Sequence, residues 1–263
     1  FFFESLGANL IPVRVDQHGI DTSDLPREQA GLIFVTPSHQ YPMGATLPLQ
    51  RRAELLDWAW ETGAYVLEDD YDSDFRYQGS PLSALFGLDQ HDCVIYMGTF
   101  SKSIGAGIRL GYLVLPRDLV EPAQTIKALL DNGHAWLDQA TLADFISSGS
   151  YAKHLRRIRH TYRKRRDCLI NALQRHFGNV QLTGSEGGMH IIWHLPNDFP
   201  NAIEVQKIAE EGGVGVYALE ASAAICLHGD TCSQRALILG YSSLSESDIE
   251  KGIARLSKEL STR

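Results

Sequence analysis

The segment from residue 93 to residue 102 reads Cys-Val-Ile-Tyr-Met-Gly-Thr-Phe-Ser-Lys, an apolar run that ends in small polar residues and a lysine. Three similar apolar runs occupy residues 31–35, 64–67 and 110–115, and a helical pattern over residues 49–61 separates the first two. The runs are nearly continuous, which is typical of strands covered on both faces. Short apolar runs that alternate with a helical stretch predict βαβ units and a largely parallel sheet, so the fold class is α/β.

The second half of the sequence predicts a smaller α+β unit. Apolar residues at helical spacing indicate one long amphipathic helix over residues 151–177. After it we expect strands at 188–194, 214–217 and 236–239 and helices at 202–211 and 246–260. We therefore predict a large domain over residues 1–150, and an interdomain helix with a small C-terminal domain over residues 151–263.

Composition limits the classes to which the protein can belong. The chain has 263 residues and is 44% hydrophobic, which is enough for a sizeable core and excludes intrinsic disorder. Its 24 basic and 32 acidic residues give a net charge of −8, which excludes a generally basic nucleic-acid binder. The four cysteines, Cys93, Cys168, Cys226 and Cys232, form no Cys-x-x-Cys pair, and no apolar run reaches the ~20 residues of a membrane span. We expect a soluble, cytoplasmic protein with no membrane partner.

The start of the sequence predicts that part of the large domain lies upstream. Residues 1–7 resemble the last turn of a helix closed by Gly7, without an initiator methionine. Residues 8–13 follow at once and are strand-like. We expect the chain to begin inside a domain.

Polar residues follow three of the apolar runs at the points where the strands end. Residues 36–44 follow the run 31–35, residues 68–71 follow the run 64–67, and residues 98–102 follow the run 93–97. In open α/β sheets, ligands bind outside the carboxyl ends of the strands. We therefore expect these three segments to converge on one crevice.

The residue types in these segments favour chemistry on a carbonyl cofactor. Lys102 lies among small hydroxyl residues, where a neutral amine can form a Schiff base. Asp69 at a strand end is suited to hold a proton on a pyridine nitrogen. A phosphate group needs hydroxyls and a cation of fixed geometry, and Thr99, Ser101 and Arg109 offer both.

Each of these residues also has a simpler interpretation. A lysine in a loop is usually solvated. Asp69 lies in the acidic run 68–74, which is also consistent with an exposed loop or a carboxylate metal site, although the run lacks the central glycine and distal glutamate of a calcium loop. Tyr41 precedes Pro42 and is also typical of a turn. The combination favours the cofactor interpretation more than any single residue does.

The order of these motifs resembles that of fold type I pyridoxal 5′-phosphate (PLP) enzymes, the aspartate aminotransferase superfamily. Residues 36–44, 68–77, 98–102 and 151–166 resemble, more narrowly, the MocR-type branch of the GntR-like transcription regulators. The resemblance covers nearly the whole chain. It implies the PLP-dependent transferase fold, with a mostly parallel sheet, flanking helices and a smaller α+β C-terminal domain.

The resemblance also implies roles for individual residues. Lys102 would be the catalytic residue and form the internal aldimine, Asp69 would pair with the pyridinium nitrogen, and Tyr71 would hydrogen-bond the ring 3-oxygen. The phosphate would be bound by Thr99, Ser101 and Arg109.

Two further residues are assigned on weaker grounds. Tyr41 joins the cofactor-binding set, although it stands where ordinary aminotransferases usually carry asparagine. Arg235 is the candidate for binding a substrate carboxylate, since arginine matches a carboxylate in a bidentate geometry.

Our leading hypothesis is an effector-sensing domain that binds PLP and exchanges its lysine aldimine with a small amine or amino acid. The alternatives are a catalytically active class I/II aminotransferase and a cofactor-free interaction domain. By resemblance alone we expect a homodimer. A winged-helix DNA-binding domain and the glycine-containing phosphate loop would lie ahead of residue 1, so DNA would be bound only through the upstream domain.

Basic residues cluster in the predicted long helix. Residues 153–166 contain eight of the 24 lysines and arginines. Such a stripe is compatible with contacts to DNA phosphates. A solvated helix face or ion pairs between domains explain it better, because no base-reading motif is interleaved.

Overall fold

The structure, a computed structural model, describes residues 2–28, 30–79, 83–132, 135–221 and 233–262. The strands, in chain order, are β1 (Val15–Asp16), β2 (Gly19–Ile20), β3 (Leu32–Val35), β4 (Tyr65–Asp70), β5 (Val94–Thr99), β6 (Gly111–Val114), β7 (Gln181–Thr183), β8 (His190–His194), β9 (Tyr217–Ala218) and β10 (Ala236–Gly240). The helices are α1 (Phe2–Ser5), α2 (Leu49–Thr62), α3 (Leu85–Leu88), α4 (Arg117–Asp131), α5 (Trp136–Ser147), α6 (Ser150–Phe177), α7 (Ala202–Glu211) and α8 (Glu246–Ser261).

The main sheet has the order β3-β4-β5-β6. Strands β3, β4 and β5 are parallel, and β6 is antiparallel to β5. The predicted α/β fold with a largely parallel sheet is therefore confirmed, with one antiparallel strand at its edge. Helix α2 is the predicted crossover, and its buried Leu55 and Ala59 belong to the core beneath the sheet. Gly63 ends the helix in the left-handed conformation (φ 70°), which costs glycine little because it has no Cβ.

The small sheet has the order β7-β8-β10-β9, with antiparallel pairing throughout. Helices α6, α7 and α8 pack on it. Its core includes several side chains with no exposed surface, among them Leu173, Trp193, Val205, Leu237 and Leu256. The predicted α+β unit thus forms, and the domain boundary at residue 150 stays a prediction.

Three expectations about the strands are wrong. Residues 8–13 form no strand, and only Tyr217 of the predicted strand 214–217 lies in one. The main sheet is not covered on both faces among the described residues: Phe34 of β3 is 47% exposed and Leu113 of β6 is 53% exposed. These side chains line an open crevice instead of a second core layer.

Two further observations bear on composition. Among the described residues, no helix combines the length and apolar character that crossing a bilayer requires. Cys93 and Cys168 are free thiols, and Cys226 and Cys232 lie outside the described residues.

Candidate functional site

A crevice of about 2160 Å³ runs along the open face of the main sheet to the carboxyl ends of β3, β4 and β5. The predicted convergence of three polar segments is found here. All seven residues assigned to cofactor binding line this crevice: Tyr41, Asp69, Tyr71, Thr99, Ser101, Lys102 and Arg109. The register explains part of the grouping, because Asp69 of β4 lies beside Met97 of β5, two residues before Thr99.

Lys102 lies in the loop after β5 and is exposed to the crevice. Among the described residues, none forms a hydrogen bond or an ion pair with its amine. The next residue, Ser103, is buried and is held by helix α6: the Tyr151 hydroxyl donates to Ser103 Oγ (3.0 Å), and His154 Nε2 lies 2.8 Å from Ser103 O. The lysine amine is therefore available to a ligand, while its backbone is fixed.

Asp69 is a half-buried carboxylate with unusual electrostatics. Burial raises its pKa from 3.8 to about 6, and the neighbouring Asp70 and Asp72 add to the rise, whereas Lys102 opposes it. Among the described residues, none donates a hydrogen bond to this carboxylate. An unpaired carboxylate that resists ionisation is suited to share a proton with a nitrogen heterocycle.

The acidic run around Asp69 is neither an exposed loop nor a metal site among the described residues. Glu68 has no exposed surface, and it accepts backbone N–H bonds of 2.9 Å from Leu85 and from Phe86. Asp70 accepts a hydrogen bond of 2.6 Å from the Tyr96 hydroxyl. Within the parts of the chain that are described, no three His, Cys, Asp or Glu side chains are grouped to hold a metal ion.

The residues assigned to a phosphate lie at the far end of β5 and in the following turn. Thr99 Oγ1 accepts the backbone N–H of Ser101 at 3.1 Å. Arg109 adopts a left-handed backbone (φ 51°), and its exposed side chain lines the crevice. Just before them, Gly98 is needed because a Cβ there would lie 2.4 Å from the Tyr112 ring. These groups supply hydroxyls and one cation, which is a donor set that suits a phosphate.

A buried histidine that was not predicted as a site residue lies beside Tyr71. His39 is 4% exposed, and its Nδ1 lies 2.9 Å from Asp72 Oδ2 and 3.1 Å from Tyr71 Oη. The Tyr71 hydroxyl donates to the backbone oxygen of His39 at 2.9 Å. Burial, together with the nearby Asp72 charge, raises the pKa of Tyr71 far above its ordinary value, so this phenol stays protonated.

A second histidine, His190 of β8, was also missed. Its ring centroid lies 5.0 Å from that of His39, and its Nε2 lies 3.0 Å from the Pro42 oxygen. Burial first and His39 second lower its pKa to about 4, so the ring is neutral near pH 7. The sequence gives no signal for this pairing, because His190 is about 150 residues away from His39 and lies within a strand.

Tyr41 and Arg235, the two residues assigned on weaker grounds, differ from each other in their surroundings. Tyr41 is 43% exposed, forms a cis peptide with Pro42, and presents its ring edge-on to His190 at 5.7 Å. Arg235 does not line the crevice. Its Nη2 donates to the backbone oxygens of Pro196 and Phe199, whereas its buried Nε has no hydrogen-bond partner among the described residues, so its role as a carboxylate ligand stays a prediction.

The eight basic residues between positions 153 and 166 of α6 divide into two groups. Three of them bond backbone oxygens of other segments: Arg159 bonds Asp74 O, Arg165 bonds Ser242 O, and Arg166 bonds Ser185 O. The remaining five are exposed: Lys153, Arg156, Arg157, Arg163 and Lys164. The cluster therefore combines contacts between segments with a solvated helix face.

Comparison with known proteins agrees with this geometry. The sequence matches the family "Aminotransferase class I and II" over residues 3–256. It is 39% identical to the HTH-type transcriptional regulator YdeL of Bacillus subtilis and 34% identical to the probable rhizopine catabolism regulatory protein MocR of Rhizobium meliloti. These matches cover 97% and 96% of this chain but only 54% and 50% of the regulators, so the chain spans about half their length.

A solved structure shows the same fold. The crystal structure of Pyrococcus horikoshii kynurenine aminotransferase, determined with PMP and kynurenine, superposes with a TM-score of 0.84 at 28% identity. The match covers 96% of this chain and 63% of that one. The chain therefore belongs to the class I and II aminotransferase family, and within it resembles the aminotransferase-like part of MocR-type regulators.

Proposed function

We propose that this chain is the PLP-binding, aminotransferase-like sensor domain of a MocR-type transcription regulator, with a small amine or amino acid as its signal. The observation that carries the proposal is the presence of Lys102, Asp69 and Tyr71 in one crevice at the carboxyl ends of parallel strands. The names of YdeL and MocR support regulation over metabolism.

The residues present fit the cofactor. Lys102 Nζ has no partner among the described residues and would hold the aldehyde carbon, while the carboxylate of Asp69 would face the ring nitrogen. Thr99, Ser101 and Arg109 would bind the phosphate. When bound, PLP supplies an electron sink for chemistry at the carbon attached to an amine.

Lys102 and Asp69 would act on protons at two different positions, the carbon of the ligand and the nitrogen of the ring. Asp69 would hold a proton on the ring nitrogen, and the positive charge of that ring would stabilise its carboxylate against the burial that raises its pKa to about 6. The Lys102 amine, when not bonded to the cofactor, would move a proton at the carbon attached to the amine of the ligand.

The contacts of the Lys102 loop offer a route for the signal. Ser103, the next residue, is held by Tyr151 and His154 at the start of α6, the helix that packs on the small sheet. A ligand that releases Lys102 would alter this junction and favour a different placement of the small sheet. A DNA-binding domain attached to this chain would sense that change.

The second candidate is a working aminotransferase, which the similarity to a kynurenine aminotransferase favours. The two functions separate when the PLP-loaded chain is incubated with a panel of amino acids and 2-oxoglutarate. The sensor predicts a spectral change that stalls within one turnover, whereas the enzyme predicts many turnovers.

Equilibrium dialysis against PLP tests whether the chain binds this cofactor, which both candidate functions require. We expect saturable binding by the wild-type chain and by Lys207→Ala, a control at an exposed lysine on α7. Absence of saturable binding would contradict both and favour a cofactor-free interaction domain.

The remaining properties are also proposals. We propose a cytoplasmic homodimer that binds DNA only through another domain of the same protein.

A further inference from the structure

A buried polar unit lies next to the cofactor crevice and has no role in the function proposed so far. It consists of His39, Asp72 and Tyr71. The side chains of His39 and Asp72 are 5% and 1% exposed. Burying polar groups this deeply lowers the stability of the fold unless each group is hydrogen-bonded. The hydrogen bonds within this unit must therefore offset that cost.

The hydrogen bonds fix the state of the His39 ring. Nδ1 faces Asp72 Oδ2 at 2.9 Å and Tyr71 Oη at 3.1 Å. The hydrogen of Tyr71 is already directed at the His39 backbone oxygen, so both neighbours of Nδ1 can only accept. Nδ1 must therefore carry a hydrogen, which it donates to Asp72 and shares with the Tyr71 oxygen.

Close backbone packing prevents the ring from turning away. A Cβ on Gly188 would lie 2.3 Å from His39 Cε1, and one on Gly44 or Gly184 would lie 3.2 Å from His39 Nε2. His39 Nε2 also lies 3.4 Å from the Gly184 oxygen, and the His190 ring lies against it. The titratable groups around the ring are thus Asp72, Tyr71 and His190.

Tyr71 is the member of this unit that reaches the ligand. It lines the crevice with Lys102 and Asp69, whereas His39 and Asp72 do not. A hydrogen bond donated to the oxygen of a phenol strengthens the bond that the phenol itself donates. The single hydrogen of Tyr71 is directed at the His39 backbone oxygen here, so donation to a ligand would require the hydroxyl to rotate. In that orientation, His39 Nδ1–H would place the phenol oxygen and make its hydroxyl a better donor to the ligand.

We propose that His39, oriented by Asp72 and enclosed by three glycines, is a positioning residue that holds and polarises the Tyr71 hydroxyl at the cofactor site. Since Gly184 follows β7 and His190 lies in β8, the same ring also connects the site to the small sheet. The part of this proposal that concerns the cofactor rests on the proposed function, and the contacts within the protein do not.

Three variants test the proposal. His39→Phe keeps a ring and removes both nitrogens, and His39→Asn keeps an N–H donor near the place of Nδ1. His194→Phe is the matched control, because His194 is partly buried in β8 and bonds Thr183 Oγ1 at 3.0 Å, outside the crevice. PLP affinity and the pH titration of its visible band are measured for each, with the thermal midpoint of the cofactor-free chain.

We expect His39→Phe to weaken PLP binding about tenfold, as expected for one lost hydrogen bond to a charged group. When Tyr71 donates a weaker hydrogen bond, the 3-oxygen of the PLP ring becomes more basic. The visible absorbance band of bound PLP should therefore keep its protonated form to higher pH. His39→Asn should recover most of both losses, and His194→Phe should titrate like wild type. A His39→Phe chain that melts earlier but titrates like wild type would overturn the proposal.

Nuclear magnetic resonance of the ¹⁵N-histidine-labelled chain without cofactor provides the independent readout. We expect a downfield, slowly exchanging Nδ1 proton on His39 that moves upfield and exchanges faster in Asp72→Asn, because a neutral acceptor replaces the carboxylate. An unprotonated Nδ1 in the wild-type chain would refute the assignment. If wild type takes up no PLP, the proposed function fails, and this spectrum still decides how His39 holds Tyr71.

Discussion

The small sheet and the main sheet are built from similarly apolar strands, yet their surroundings differ. In β8, residues Ile191, Ile192 and Trp193 have no exposed surface. In β6, by contrast, Leu113 is 53% exposed and lines the crevice. The difference shows that the candidate site residues of this chain gather at the sheet whose face is open among the described residues.

The largest expected effect is on the free energy of unfolding. It is measured by comparing one leucine from each sheet. Leu237→Ala in β10 removes a side chain with no exposed surface, and we expect a loss of about 2–5 kcal/mol in the free energy of unfolding. Leu113→Ala in β6 leaves no buried cavity and should cost about 1 kcal/mol. Urea denaturation measures both, and equal losses would contradict the contrast between the sheets.

The second prediction compares two glycines with the same backbone conformation. Gly188 (φ 78°) meets His39 and Asp72, whereas Gly149 (φ 72°) has nothing within 4 Å of an added Cβ. Gly149→Ala should cost about 1–2 kcal/mol, from the left-handed backbone alone. Gly188→Ala adds overpacking and should cost about 1–3 kcal/mol more. Denaturation midpoints test this, and a Gly188→Ala chain as stable as Gly149→Ala would show that the histidine is not enclosed.

The third and smallest effect concerns pH. The folded-state pKa of Asp69 is about 6, above the ordinary value of 3.8. The folded chain therefore holds more protons between these values, and the contribution of Asp69 to stability falls as the pH rises from about 4 to 6, then levels off.

Asp69→Asn removes that dependence. We expect the variant to gain about 1 kcal/mol relative to wild type between pH 4 and pH 7, a value reduced for the partial exposure of the carboxylate. The matched Asp57→Asn control, on α2, should leave the pH dependence unchanged. A wild type and Asp69→Asn that vary identically with pH would contradict the raised pKa.

Much of the fold was predictable because local periodicity and end signals decide it. Helix α7 was predicted at its observed bounds, and Asn201 caps it in a capping box with Glu204. The convergence of Asp69 and Lys102 followed from parallel strands ending at one edge. These features depend on short-range sequence and on a general rule of sheet topology.

The rest depends on contacts between distant residues. His39 looks like part of a turn in the sequence, and only the fold brings Gly188 and His190 against it. The bonds from Arg235 Nη2 to the backbone oxygens of Pro196 and Phe199 likewise join segments that are distant in the sequence, and no sequence pattern indicated them. The exposure of Phe34 and Leu113 among the described residues was not predicted either, because an apolar run in the sequence does not indicate what lies beside it.

The proposed function depends most directly on a covalent bond between the Lys102 amine and PLP in this crevice. The direct measurement is borohydride reduction of the PLP-treated chain, followed by peptide mapping by mass spectrometry. We expect one stable pyridoxyl label on the peptide containing Lys102, and none in Lys102→Ala. A label that persists in Lys102→Ala, or one found mainly on another lysine, would contradict it.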